Sequence, residues 1–243
     1  MLKINDLVGY KNRKIYQDDN YFCFSVDAVI LANFTTLSKR VEKVLDIGTG
    51  VAPIPLILTL RKNDLKIDAV EIQKELAVIA EKSVKLNNLE NNVHVLCEDI
   101  KEYARNHQEN SYDLIICNPP YFKYNEESKT SDIKEKQIAR HEVMIELEDY
   151  FVVSKKLLTN NGILSMIHRS DRFLEVMELY QKYNISPTKV RFIHTNLNKE
   201  SKLFFIEGIK NKKATLKIEK PFVIYDKDNK ETEEYKRLLE EVN

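Results

Sequence analysis

Four residues near the middle of the chain, Asn118-Pro119-Pro120-Tyr121, combine side-chain types that suit one chemical task. The asparagine offers a side-chain amide oxygen, the proline after it a free carbonyl, and the tyrosine a flat phenol ring. Two oxygens aimed at one NH2 group would hold its protons and let the nitrogen move toward sp3 as an electrophile arrives in line. An exocyclic aromatic amine or a carboxamide needs that help, because its lone pair is delocalised into the neighbouring π-system. Tyr121 would stack on the planar group, a contact worth about 1–3 kcal/mol per base. The task calls for no metal and no titrating base, so Asn118, Pro119, Pro120 and Tyr121 form the candidate catalytic set. An Asn-Pro pair can equally be a plain turn at a strand end, and its position relative to other groups decides between the two.

A second set lies upstream. Val44-Leu45-Asp46-Ile47-Gly48-Thr49-Gly50 reads as a strand running into a glycine turn ahead of a helix. Glycines permit positive φ and a close approach of backbone to ligand, and the helix start offers free N–H groups. A dinucleotide fingerprint would need a third glycine where this chain has Pro53. Asp46 would repel a pyrophosphate yet favour a cationic amino-acid moiety such as the methionine end of S-adenosylmethionine. Glu71, 21 residues after Gly50, stands where an acid can accept from both ribose hydroxyls. Asp99 can accept from an adenine amino group, with Ile100 packing the ring, or can cap the helix that follows. The candidate cofactor residues from this pattern are Asp46, Gly48, Gly50, Glu71, Ile72, Asp99, Ile100 and Asn118, and the cofactor they suit is S-adenosylmethionine.

These groups must be carried by alternating strands and helices. Strands are expected at 43–47, 66–70, 93–97 and 112–117, with helices at 53–61, 73–86 and 100–105 between them. Such repetition implies a parallel sheet covered on both faces, with ligands held beyond the carboxyl ends of the strands. Residues 121 to 142 turn polar and charged, which predicts a mobile loop. A helix near 148–158 is expected to end at the Asn161-Gly162 cap, followed by a strand at 163–167 and a helix at 171–183. The apolar runs 189–194 and 203–209 predict an antiparallel hairpin closing the sheet edge. The expectation is a Rossmann-like α/β fold with seven mostly parallel strands in a single domain over 1–243. Within it, 1–42 is an N-terminal cap segment, 43–118 the cofactor half and 119–243 the substrate-facing half.

Composition narrows the setting. With 243 residues, 43% hydrophobic and 31% charged, and only 5 glycines and 6 prolines, the chain suits one sizeable ordered unit. Cys23, Cys97 and Cys117 are odd in number and set among apolar neighbours, which predicts reduced thiols and a cytoplasmic protein. No apolar run reaches the length of a membrane span, and no metal, membrane or obligate protein partner is expected. Net charge is zero, but residues 154–213 hold twelve Lys/Arg against five Asp/Glu, an excess that can meet phosphates or simply cover solvated helix faces.

The chain resembles class I S-adenosylmethionine-dependent methyltransferases of the amino-group type, whose hallmark is the Asn-Pro-Pro-Tyr tetrapeptide. Phe24-Ser25-Val26-Asp27-Ala28, Ala139-Arg140-His141-Glu142, Ile167-His168-Arg169, Pro221-Phe222-Val223-Ile224-Tyr225 and Thr232-Glu233-Glu234-Tyr235 are similar to bacterial tRNA(Val) adenine-N6 methyltransferases. These act at position 37 of the anticodon loop. The resemblance implies that Asp46, Gly48 and Glu71 serve the cofactor's methionine and ribose, with Asp27 near the methionine end. Asp99 would serve its adenine and residues 118–121 the target base. Val51-Ala52-Pro53 departs from a family pattern that often has a further small residue after Gly50, which points to a looser cradle. A tRNA anticodon stem-loop would be the partner, and Arg140, His141, His168, Arg169, Lys189, Arg191, Lys199 and Lys202 are the candidate contacts. Methylation of a protein glutamine or of guanine N2 in ribosomal RNA would use the same tetrapeptide. A non-catalytic RNA-binding module would need no cofactor cradle, and an oxidoreductase would need the missing glycine.

Overall fold

The computed structural model describes residues 1–8, 10–21, 25–119 and 145–240. The expected loop over 121–142 lies outside them. Four parallel strands carry the centre: β3 (Lys43–Ile47), β4 (Lys66–Glu71), β5 (Val93–Cys97) and β6 (Tyr112–Cys117). They are followed by β7 (Leu158–Arg169), β8 (Ile185–His194) and β9 (Leu203–Lys210). The sheet runs β8-β9-β7-β6-β3-β4-β5, and β9 is antiparallel to both of its neighbours. The seven expected strands and their hairpin are therefore present. Two short strands, β10 (Lys217–Ile218) and β11 (Phe222–Val223), pair with β8, so the hairpin does not close the edge. The fold is Rossmann-like.

Strand parity distributes the core. In β3, Val44 joins a cluster on one face and Leu45 and Ile47 one on the other; in β6, Leu114 and Ile116 oppose Ile115 and Cys117. Residues of alternating parity point to opposite faces, so both faces need apolar cover. On the first face lie α1 (Val26–Phe34), α2 (Pro53–Arg61), α3 (Lys74–Leu86) and α7 (Glu233–Leu239). On the second lie α4 (Ile100–Asn106), α5 (Leu147–Leu157) and α6 (Phe173–Lys182). Each helix has a local cause. Pro53 takes the first helical position of α2, where its missing N–H costs nothing. In α3 the buried residues Leu76, Ile79, Ala80, Ser83 and Val84 recur at helical spacing. The start of α5 is fixed by the Asp149 carboxylate, which accepts from the Glu146 N–H at 3.0 Å.

Two local features differ from expectation. The turn Asn161-Gly162 does not cap α5, which ends at Leu157. Asn161 has φ 65° inside β7, where the pairing with β6 slips between Tyr112/Leu158 and Leu114/Ile163. The left-handed residue makes a bulge rather than a helix end. The N-terminal segment adds a two-stranded antiparallel sheet, β1 (Leu2–Leu7) and β2 (Tyr10–Asp18). It is tied to α3 because the Tyr16 N–H donates to Ser83 Oγ and the Lys14 N–H to Asn87 Oδ1. The buried Tyr10 hydroxyl donates to the Leu238 carbonyl at 2.8 Å and accepts from Asn33 Nδ2 at 2.7 Å. One phenol thus joins the hairpin, α1 and α7.

Candidate functional site

The site forms where β3, β4 and β6 end. Ile47 is the register partner of both Val70 and Cys117, so the next residues on the flanking strands, Glu71 and Asn118, emerge on either side of the Gly48-Thr49-Gly50 turn. Adjacent strands lie about 4.8 Å apart, which keeps these groups within reach of one small molecule. The turn is stitched to β4 by the Gly48 and Thr49 N–H groups donating to the Val70 carbonyl at 2.9 and 3.1 Å. Gly48 and Gly50 have φ of 72° and 59°, and a Cβ built on either would meet nothing within 4 Å among the described residues. Their conformation and the open space above them form a cradle that side chains would fill.

Two carboxyl groups are buried beneath that cradle. Asp46 is fully buried; its Oδ2 accepts from Thr49 Oγ1 at 2.6 Å, while Oδ1 has no hydrogen-bond partner among the described residues. Burial pushes its pKa up to about 7, with the Thr49 hydroxyl opposing and Glu71 adding to the rise. Glu71 is 4% exposed and accepts from the Gly50 N–H and the Gln73 N–H, each at 2.9 Å. Burial raises its pKa too, against these backbone donors. Thr49, which holds the Asp46 carboxyl, is absent from the candidates drawn from the sequence; its spacing of three from Asp46 inside a turn is the signal that could have found it.

Asp99 caps α4, its carboxylate accepting from the Lys101 N–H at 2.7 Å, so the capping alternative is present in the fold. Ile100 packs into the second core and is 2% exposed, while Ile72 is half-buried. Asp27 lies in the first turn of α1. Asn118 is half-buried and Pro119 buried at the end of β6. Pro120, Tyr121, Arg140 and His141 lie outside the described residues. A cavity of about 250 Å³ at the opposite, amino ends of these strands is lined by Lys43, Lys66, Asp68, His107, Ser111 and Tyr112. Among the described residues no three His, Cys, Asp or Glu side chains group to hold a metal ion, and no helix is long and apolar enough to cross a membrane.

The basic candidates divide. His168 is fully buried, its Nδ1 accepts from the Arg169 N–H at 2.8 Å, and burial lowers its pKa to about 4. Lys189 ion-pairs with the buried Glu207 at 3.0 Å and donates to the Phe34 carbonyl at 2.7 Å. The Arg191 guanidinium lies over the rings of Phe34 and Phe222 and pairs with Glu234 at 2.6 Å. In the fold, then, His168 is interior, and Lys189 and Arg191 are engaged in holding α1 and the C-terminal tail on the sheet. Arg169 pairs with Asp171 at 2.6 Å but stays partly exposed, and Lys199 and Lys202 are exposed.

The family model described as "Methyltransferase small domain" matches residues 25–186. The chain belongs to this family. The methyltransferase is 30% identical over 245 residues to a protein of Christiangramia forsetii named tRNA1(Val) (adenine(37)-N6)-methyltransferase, covering 98% of this chain and 97% of that one. A protein of the same name from Flavobacterium psychrophilum is 28% identical, covering 91% of this chain and 95% of its own. In fold the methyltransferase is similar to a solved structure described as a predicted O-methyltransferase from Agrobacterium tumefaciens. The TM-score is 0.70, with 18% identity, over 88% of this chain and 95% of that one. The cofactor of this methyltransferase is S-adenosylmethionine. The described residues fit it: among them no side chain fills the cradle and no donor reaches the buried Asp46 Oδ1, which suits the cofactor's ammonium group.

Proposed function

We propose that this methyltransferase acts on the exocyclic N6 of an adenine in tRNA, at position 37 of the anticodon loop of tRNA(Val). The observation that carries this reading is the likeness, over nearly the whole of both chains, to the Christiangramia protein of that name. S-adenosylmethionine supplies a methyl group on a cationic sulfur, an electrophile that transfers to nitrogen without a metal. Asp46 would face its ammonium group, Asp27 the methionine end and Glu71 the ribose hydroxyls, with Gly48 and Gly50 lending close backbone approach. Asp99, with Ile72 and Ile100, would flank the adenine. Asn118 and the Pro119 carbonyl would accept the two N–H protons of the target amine and let its lone pair turn toward the methyl. Tyr121 would stack on the base, and Pro120 would stiffen the loop that presents it. Anticodon-loop bases are unpaired, so extruding one costs little. Arg169, Lys199 and Lys202 would meet phosphates, setting affinity rather than base choice.

The experiment is methyl transfer from labelled cofactor to unmodified transcripts of single tRNAs, with the label mapped by nuclease digestion and mass spectrometry. Label on N6 of adenine 37 in tRNA(Val) supports the reading; label on guanine or on a protein glutamine refutes it. Asn118→Ala should nearly abolish turnover while cofactor affinity stays close to wild type. A large loss of cofactor binding would remove Asn118 from its proposed role.

A further inference from the structure

Ionising both carboxyl groups beneath the cradle is costly without a cation. Asp46 and Glu71 both belong to the strand face that looks toward α1, α2 and α3, and each is almost wholly removed from solvent. Among the described residues, the groups coupled to Asp46 include the Thr49 hydroxyl of its own turn, the Glu71 carboxyl of β4 on the same face and, from the opposite face of the sheet, the Cys117 thiol of β6. None of these is a cation. The two Glu71 oxygens take backbone N–H groups, which favour its charged form, whereas Asp46 has one hydroxyl donor and a bare second oxygen. A carboxylate buried beside a second carboxylate is therefore best relieved by protonating the less solvated of the two.

We propose that Asp46 is protonated in a large fraction of the free protein at neutral pH and is deprotonated when the cofactor's ammonium group arrives, so that cofactor uptake expels a proton. The inference rests on the reading of Asp46 as the residue facing the methionine end. The Asp46 O–H bond breaks, its proton passes to water or buffer, and the carboxylate keeps the electron pair opposite the incoming cation. Nothing is oxidised or reduced. The ammonium charge enters the crevice as the proton leaves, so in the bound state the ionised Asp46 is compensated by a cation.

Proton linkage gives this a direct readout. The probe is S-adenosylhomocysteine, which carries the same ammonium group, titrated calorimetrically into the protein at one pH in phosphate and in Tris, whose ionisation heats differ. At pH 7 the two apparent enthalpies should differ by the heat of releasing about half a proton, given half-titration near that pH. Release should approach one proton at about pH 5.5 and vanish at about pH 8.5, with affinity falling about tenfold per pH unit below about pH 6. Asp46→Asn should bind with no buffer dependence. Should that variant not fold, infrared difference spectra of the wild type give a second test, since a protonated carboxylic-acid carbonyl band must disappear on binding. Tight binding with identical enthalpies in both buffers, or with no such band lost, overturns the proposal. No binding heat in any buffer overturns instead the cofactor assignment beneath it.

Discussion

Asp46 also sets a stability cost that a single substitution should reveal. In the unfolded chain its carboxyl titrates near 3.8; in the fold burial moves it to about 7. A folded-state value above the unfolded one means that stability is present in full below pH 3.8 and is lost as the pH climbs through 7. At about 1.4 kcal/mol per pH unit the gap is worth about 4 kcal/mol. That is a ceiling, since water entering the open cradle and the coupled Glu71 both soften it. Asp46→Asn keeps an oxygen for the Thr49 hydroxyl and cannot ionise. Measured by urea denaturation without cofactor at pH 5, 6, 7 and 8, the variant should gain on wild type at each step, by at least about 1 kcal/mol overall. Groups that are not coupled to Asp46 contribute equally to both proteins and cancel in the difference. A difference that stays flat from pH 5 to 8 would mean that Asp46 is ionised throughout, and the burial argument would fail.

Other perturbations have equally direct outcomes. His168 has a folded pKa near 4, below its unfolded value of 6.5. Wild type should therefore lose about 3 kcal/mol as the pH falls between those values, and His168→Gln should lose much less in the same denaturation series. A Cβ on Gly208 would lie 2.6 and 2.7 Å from ring carbons of the buried Tyr180, so Gly208→Ala should cost about 1–3 kcal/mol by overpacking, read from the urea midpoint. Lys199→Glu with Lys202→Glu should weaken tRNA binding and flatten its log–log salt slope by about 0.7–0.9 for each phosphate that is no longer neutralised. Arg191→Ala should lower the melting temperature and leave that slope unchanged.

What can be read from the residues depends on how local their signals are. The strands at 43–47, 66–71 and 112–117 announce themselves because both of their faces are buried, so β-branched runs survive without interruption. The acids at their ends stand out against those runs, which is why Asp46 and Glu71 are legible as a pair. The N-terminal hairpin is not legible. Between Leu2 and Asp18 the buried apolar residues are Leu7, Tyr10 and Ile15, too few to show alternation, and the hairpin is held by side chains of α3 and its cap such as Ser83 and Asn87. The roles of Lys189 and Arg191 are hidden for a related reason. Charge alone suggests a wet surface, whereas Phe34, Phe222 and Glu207, each distant in sequence, enclose these cations. His168 follows Leu164, Ser165, Met166 and Ile167, all at 0% exposure in the fold, and a largely apolar strand leading into it is a usable hint of an interior imidazole. Asn161 signals a left-handed backbone but not whether a bulge or a helix end requires it.

The Tyr10 phenol meets a carbonyl 228 positions further along the chain. During synthesis Tyr10 emerges from the ribosome 228 residues ahead of Leu238, so this clasp can shut only after the sheet between them has been made. Until Leu238 leaves the exit tunnel, the outer side of the α1 helix stays bare. Nascent or prematurely terminated chains would display an apolar strip that chaperones and proteases can recognise.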